Sequence, residues 1–206
     1  MKPAAALLTS PLLCLVLWVV PIKPALAGHG LINSFAGIEW LPEPDGTPHG
    51  LTWRFERWRE TRAVASLRNA EARIDARLAL ARERIAEALA EVRAERADAA
   101  RPAVDDYGAL VTAAADEVGT LGEASHTRAL ALAGTLLEHR YIVSTEYLDL
   151  PRNARRSLAP LMELAAAQYA RLRQGFSRRE QESLFFREEE TRWSWEQAQA
   201  ADAQGL

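Results

Sequence analysis

Between residues 67 and 92, apolar side chains recur at three- and four-residue steps: Leu67, Ala70, Ile74, Leu78, Ala81, Ile85, Ala88 and Val92. That spacing lays a single apolar stripe along a helix. No Gly or Pro interrupts Leu51 to Arg101, so the pattern predicts one long helix, and forty helical residues would span roughly 60 Å. Such a helix cannot bury its stripe alone and must pack against later helices or against another chain. Pro102 is expected to end it, and Asp105 and Asp106 stand where the next helix N-terminus would favour carboxylates.

The second helix takes its face from Leu110, Val111, Ala114, Val118 and Leu121, with Gly119 and Gly122 as punctuation. A third follows with Leu130, Ala133, Leu137, Tyr141, Thr145 and Leu148 in heptad-like steps. After the break at Asp149-Leu150-Pro151, a fourth is defined by Leu158, Leu161, Ala165, Tyr169 and Leu172. Pro160 either kinks that helix or marks its first turn. Gly175 ends it, and Ser177-Arg178-Arg179-Glu180 is a capping-box signature for a fifth. This last helix is weakly amphipathic; Phe185, Trp193 and Trp195 are its candidate docking residues, the exposed reading being preferred for the two tryptophans, and 197–206 is expected to fray. No strand-like alternation of useful length appears. The expectation is an all-α fold, an elongated helical bundle with one long N-terminal helix and three to four following helices.

The segments before the bundle read differently. Residues 1–27 have the pattern of a secretory signal peptide: Lys2, an apolar run from Ala4 to Val20, and Ala25 and Ala27 at the −3 and −1 places of an A-x-A cleavage site. The competing reading is an uncleaved anchor, because residues 4–22 approach the roughly 20 needed to cross hydrocarbon. Cys14 follows Leu13 rather than a small residue, which speaks against lipidation. Residues 28–50 hold Pro42, Pro44 and Pro48 and no helical period, an extended leader lying on the surface. The organisation expected is therefore signal peptide 1–27, leader 28–50, helical domain 51–175 and C-terminal helix with frayed tail 176–206.

Composition adds constraints. There are 39 alanines, so bulky core-formers are scarcer than the 49% hydrophobic content suggests. Removing 1–27 takes away the only cysteine and both lysines, leaving 23 arginines against 28 acidic residues, a formal charge of −5. A cysteine-free chain of that sign fits an extracytoplasmic location, periplasmic or secreted. It argues against nucleic-acid binding through a basic surface.

Candidate chemistry is sparse. Glu123 and His126 form an i, i+3 pair of the kind that presents two metal ligands on one helix face, and His139, with Glu138 or Glu146, could complete a metal set. The competing reading makes Glu123 a cap and His126 a surface residue. His29 and His49 lie in the leader, where Glu43 and Asp45 are near the latter. The serines have no strand-turn-helix elbow and no Gly-rich phosphate loop follows a strand, so no catalytic residue and no cofactor are expected. Near the start of the long helix, Trp53, Arg54, Arg57 and Trp58, with Phe55, Arg59 and Arg62, form an aromatic-arginine patch able to meet a partner or membrane headgroups. The plainer reading, preferred here, has Phe55 and Trp58 plugging the bundle end while the arginines pair with Glu56 and Glu60.

Three ordered motifs resemble an uncharacterised bacterial exported helical family catalogued as domain of unknown function 5667. They are Leu41-Pro42 with Gly46-Thr47-Pro48-His49-Gly50-Leu51 leading into Arg54-Phe55-Glu56-Arg57; Leu80-Ala81-Arg82-Glu83-Arg84-Ile85-Ala86-Glu87; and Pro151-Arg152-Asn153-Ala154-Arg155-Arg156-Ser157-Leu158. The stretch after Ser177 has no counterpart in that pattern. The resemblance implies an exported helical chain and carries no activity, substrate or catalytic residue. The functional expectation is a non-catalytic binding, scaffold or envelope-stress module working with a protein partner or by self-association through helix faces. A periplasmic metal sensor and a peripheral membrane protein are the alternatives, and membrane contact is not the favoured one.

Overall fold

Among the described residues, seven helices and three short 3-10 turns account for most of the chain. The computed structural model describes residues 34–44, 46–48 and 50–205; the signal-peptide reading, His29, Asp45 and His49 lie outside the described residues. The helices are α1 Leu51–Ser66, α2 Ala70–Arg93, α3 Ala97–Val118, α4 Ser125–Glu146, α5 Arg152–Arg155, α6 Ala159–Arg173 and α7 Arg178–Gln204. Among the described residues there is no strand, and the fold is an all-α helical bundle. Residues 34–206 form one compact unit.

The stripe that begins at Leu67 leads into the core. Ile74, Ala81, Ile85, Ala88 and Val92 of α2 are buried, facing Ala100, Ala103, Val104, Tyr107 and Val111 of α3. The alanines at this seam let two backbones approach closely, which is how a chain poor in bulky side chains still closes its interior. Helix α4 packs on α6 and α7, and α6 also reaches α3. There Gly108 makes room for Leu164: a Cβ at that position would sit 2.7 Å from Leu164 Cδ1, and that side chain would have to shift.

The stretch expected to run unbroken from Leu51 to Arg101 is folded back at two places. At the first, Leu67 turns extended and Asn69 caps α2, its side chain accepting the Glu71 N–H at 2.8 Å. Arg73 reaches back to the Leu67 carbonyl at 2.7 Å, so an α1 end that lacks glycine is closed by an arginine. At the second, Arg96 N–H bonds the Glu91 carbonyl and Glu95 N–H the Val92 carbonyl. This is a Schellman turn with Glu95 in the left-handed position, φ 59°, that glycine usually holds. Its missing glycine hid the turn. Buried Glu91 reinforces it by taking two bonds from the Arg96 guanidinium, at 2.5 and 2.9 Å.

Pro102 consequently does not end a helix but lies inside α3. It follows the first turn closely enough to forfeit only the bond to the Asp98 carbonyl. Asp105 and Asp106 then sit mid-helix rather than at a start. Pro160 occupies the first turn of α6, one of the two expected alternatives, and the Ser177–Glu180 capping box forms.

The first and last of the described residues are held more firmly than their composition suggests. In the leader, buried Phe35 stacks on Tyr141 with centroids 4.2 Å apart. Ser34 N–H donates to Glu190 at 3.1 Å, and its carbonyl accepts from Arg187 Nε at 3.1 Å. The fraying expected for 197–206 does not occur. Helix α7 continues to Gln204, with Ala198 and Asp202 buried and Gly205 closing it in the left-handed conformation. Asp202 is the reason: it accepts from Arg155 Nε at 2.8 Å and Arg156 Nε at 3.0 Å.

The docking face of α7 is polar as well as apolar. Leu184, Thr191 and Ala198 recur every seven residues and are buried. Between them Arg187 binds Glu138 at 3.1 Å, Glu188 accepts from the Tyr169 hydroxyl at 3.0 Å, and Ser194 meets Ser144 at 2.8 Å. Of the three candidate docking residues, Trp195 docks, edge-on to Tyr147 at 5.0 Å, against the exposed reading preferred for it, while Trp193 is exposed as that reading has it and Phe185 is exposed too.

Candidate functional site

Helix α1 touches the bundle along one line, Trp53, Arg57, Glu60 and Val64, at steps of four, three and four residues. Only Trp53 and Val64 of that line are apolar, and both are buried. The charged pair between them enters an ionic cluster shared with α2 and α3. Arg57 bonds Asp106, and Glu60 accepts from Arg84. Arg84, itself 2% exposed, also bonds Glu87 at 2.6 Å and lies 2.9 Å from Asp106 Oδ2. The Trp53 indole N–H donates to the other oxygen of Glu87 at 3.1 Å, and the guanidinium carbons of Arg57 and Arg84 lie 4.9 and 5.6 Å from its ring centroid.

Three carboxylates thus face two guanidiniums. Burial pushes the Asp106 carboxyl above the ordinary carboxylate range, with Arg57 and Arg84 pulling the other way. Burial works against the Arg84 charge, but its bonds to Glu87 and Glu60 more than offset that, leaving its pKa above the usual arginine value. The cluster has the form of a structural clamp that ties α1 to α2 and α3.

The opposite side of α1 presents the more apolar surface. Leu51, Phe55 and Trp58 are 83%, 58% and 50% exposed. Phe55 and Trp58 stack with centroids 5.7 Å apart, and Arg62 lies over the Trp58 ring at 4.6 Å. The aromatic-arginine patch is therefore divided. Trp53 and Arg57 point inward and hold the helix, whereas Arg54 and Trp58 face outward. The expectation that Phe55 and Trp58 plug the bundle end is overturned, because the line that reaches the core is set by Trp53 and Val64, and Phe55 and Trp58 lie off it. Arg59 and Arg62, members of the expected patch, also lie on the outward face. Leu51 belongs to that face and was not in the expected patch; its spacing of four and seven residues from Phe55 and Trp58 was the available signal.

A groove of about 460 Å³ lies between the first turns of α1 and α3, lined by Trp53, Arg54, Arg57, Asp98, Arg101 and Asp105 among others. Its charges alternate in sign, so it selects for neither anion nor cation.

The candidate metal ligands are not brought together. His126 is half exposed and its Nε2 meets Glu180, the residue that caps α7. His139 lies on the same helix thirteen residues on, about 20 Å away, and is 1% exposed. The Glu123 side chain lies outside the described residues. Glu138 and Glu146 are engaged with Arg187 and Arg93 respectively. Among the described residues no group of three His, Cys, Asp or Glu could hold a metal ion.

His139 is instead an interior group. Its Nδ1 lies 3.2 Å from the Tyr107 hydroxyl, and Nε2 has no hydrogen-bond partner among the described residues. Burial, with a smaller repulsion from Arg82, pushes its pKa down to about 3, while burial raises the Tyr107 phenol well above its normal range. No helix among the described residues is long and apolar enough to cross a membrane. Set against protein-family models, curated proteins and solved structures, the chain matches none of them.

Proposed function

We propose that the chain is an exported, non-catalytic helical binding module whose recognition surface is the outward face of α1. The observation that carries this reading is the inversion of that helix. Two of the four residues it turns toward the bundle are charged, while Leu51, Phe55 and Trp58 stand in solvent. Leaving two aromatic rings and a leucine on one exposed line forgoes burial worth roughly 1.5–3 kcal/mol per side chain, which a partner on that line would recover. Export is supported by the pattern of residues 1–27 and by the cysteine-free remainder. The preference for binding over catalysis rests on the ionic cluster, whose charged groups are spent on one another.

The test is a photo-reactive phenylalanine analogue in place of Phe55, with the same analogue at exposed Gln199 of α7 as control, in cells producing the protein. The expected outcome is a discrete adduct from position 55 and none from position 199. The reading fails if position 55 yields neither a protein adduct nor a lipid adduct.

A further inference from the structure

We infer that the occupant of the α1 face is an anionic lipid surface; the inference rests on α1 being the recognition surface and names what it recognises. Residues on a helix are set about 100° apart, so the half of α1 turned away from the bundle can be read directly. It carries Arg59 and Arg62 with Leu51, Phe55 and Trp58 and no carboxylate of α1, and Arg54 stands at its edge, beside the groove that Asp98 and Asp105 also line. Glu60 is turned inward to Arg84, and Glu56 falls beyond the edge of that half. On a protein of net negative charge, this is an arc of one positive sign. Leu51, Phe55 and Trp58 form a line about 10 Å long, with Arg54 and Arg59 on its two flanks. A helix lying flat at a headgroup layer has this arrangement: rings and leucine enter the acyl boundary, and guanidiniums on both sides reach phosphate.

The same features disfavour a second copy. A two-fold contact through α1 would set three arginines against three with no carboxylate between them. The exposed parts of the three apolar side chains also amount to only on the order of 400 Å², against about 800 Å² per partner in a stable complex.

The test uses residues 28–206, which contain the whole compact unit without the apolar run that would itself enter a bilayer. Vesicles of phosphatidylcholine, with and without phosphatidylglycerol, are sedimented with the protein. Binding is expected only with phosphatidylglycerol, is expected to weaken in high salt, and should shift Trp58 emission to the blue. Two variants, Phe55→Ser/Trp58→Ser and Arg54→Gln/Arg59→Gln/Arg62→Gln, should each bind at least about tenfold more weakly with unchanged melting temperature. Trp58→Phe should keep binding while losing the emission shift. No binding to the anionic vesicles, or binding that neither multiple variant reduces, overturns the inference. A protein adduct from position 55 without vesicle binding would overturn the lipid and keep the surface. Absence of both would remove the surface as well.

Discussion

His139 is neutral in the folded protein because burial holds its pKa near 3, whereas an unfolded histidine titrates near 6.5. Between those values the unfolded chain binds the extra proton, so stability is fully present above about pH 6.5 and falls as pH drops. At roughly 1.4 kcal/mol per pH unit, the loss from this residue at pH 4.5 is about 2–3 kcal/mol. Urea midpoints measured across pH 4.5–7 should show that slope, and His139→Leu should flatten it. Glu95 carries strain of a different kind, a side chain held at positive φ at a cost of roughly 1–2 kcal/mol. Glu95→Gly is expected to raise stability by about 1 kcal/mol; an unchanged denaturation midpoint would mean that the turn is not strained.

At the scale of helices, α1 is the least anchored long element. With Trp53 and Val64 as its buried apolar residues, its attachment depends on the ionic cluster. Arg84→Met would leave Glu87 and Asp106 buried beside a lost partner and should cost about 3–5 kcal/mol. Adding Glu87→Gln and Asp106→Asn should recover much of that. Native-state hydrogen exchange is expected to open α1 well before the α2–α3 hairpin; equal protection would refute the idea of a weakly held helix. The helices of the bundle were readable because their stripes have a clear period. The breaks within 51–101 were not, because they use Asn69, Arg73 and Glu95 in place of the Gly and Pro that punctuate helices elsewhere. The face of α1 was misassigned for a related reason: its inward line contains Arg57 and Glu60, which an apolar pattern reads as solvent-facing. Helix α7 hid its docking face in the same way, since Arg187, Glu188 and Ser194 meet matching polar groups there.

For the molecule as a whole, α7 is the closing element, binding α4 along its length and holding both the Ser34–Phe35 corner and the Arg155–Arg156 turn. The Asp202 carboxyl is held below the ordinary carboxylate range, chiefly by its bond from Arg155. Its contribution is therefore present at neutral pH and lost as pH falls below about 4. Asp202→Asn should lower the melting temperature at pH 7 and have less effect at pH 3. Truncation after Glu196 should lower it further.

The bond between Ser34 and Glu190 bridges 156 positions, and that separation sets a schedule. A ribosome adding about 5–20 residues per second needs roughly 10–30 s to travel between them. Throughout that interval the slot for Phe35 has one wall missing, so the first corner of the bundle to be synthesised is among the last to be completed. Most helical proteins assemble from neighbours in sequence; this one cannot seal the Ser34–Phe35 corner until α7 has been made.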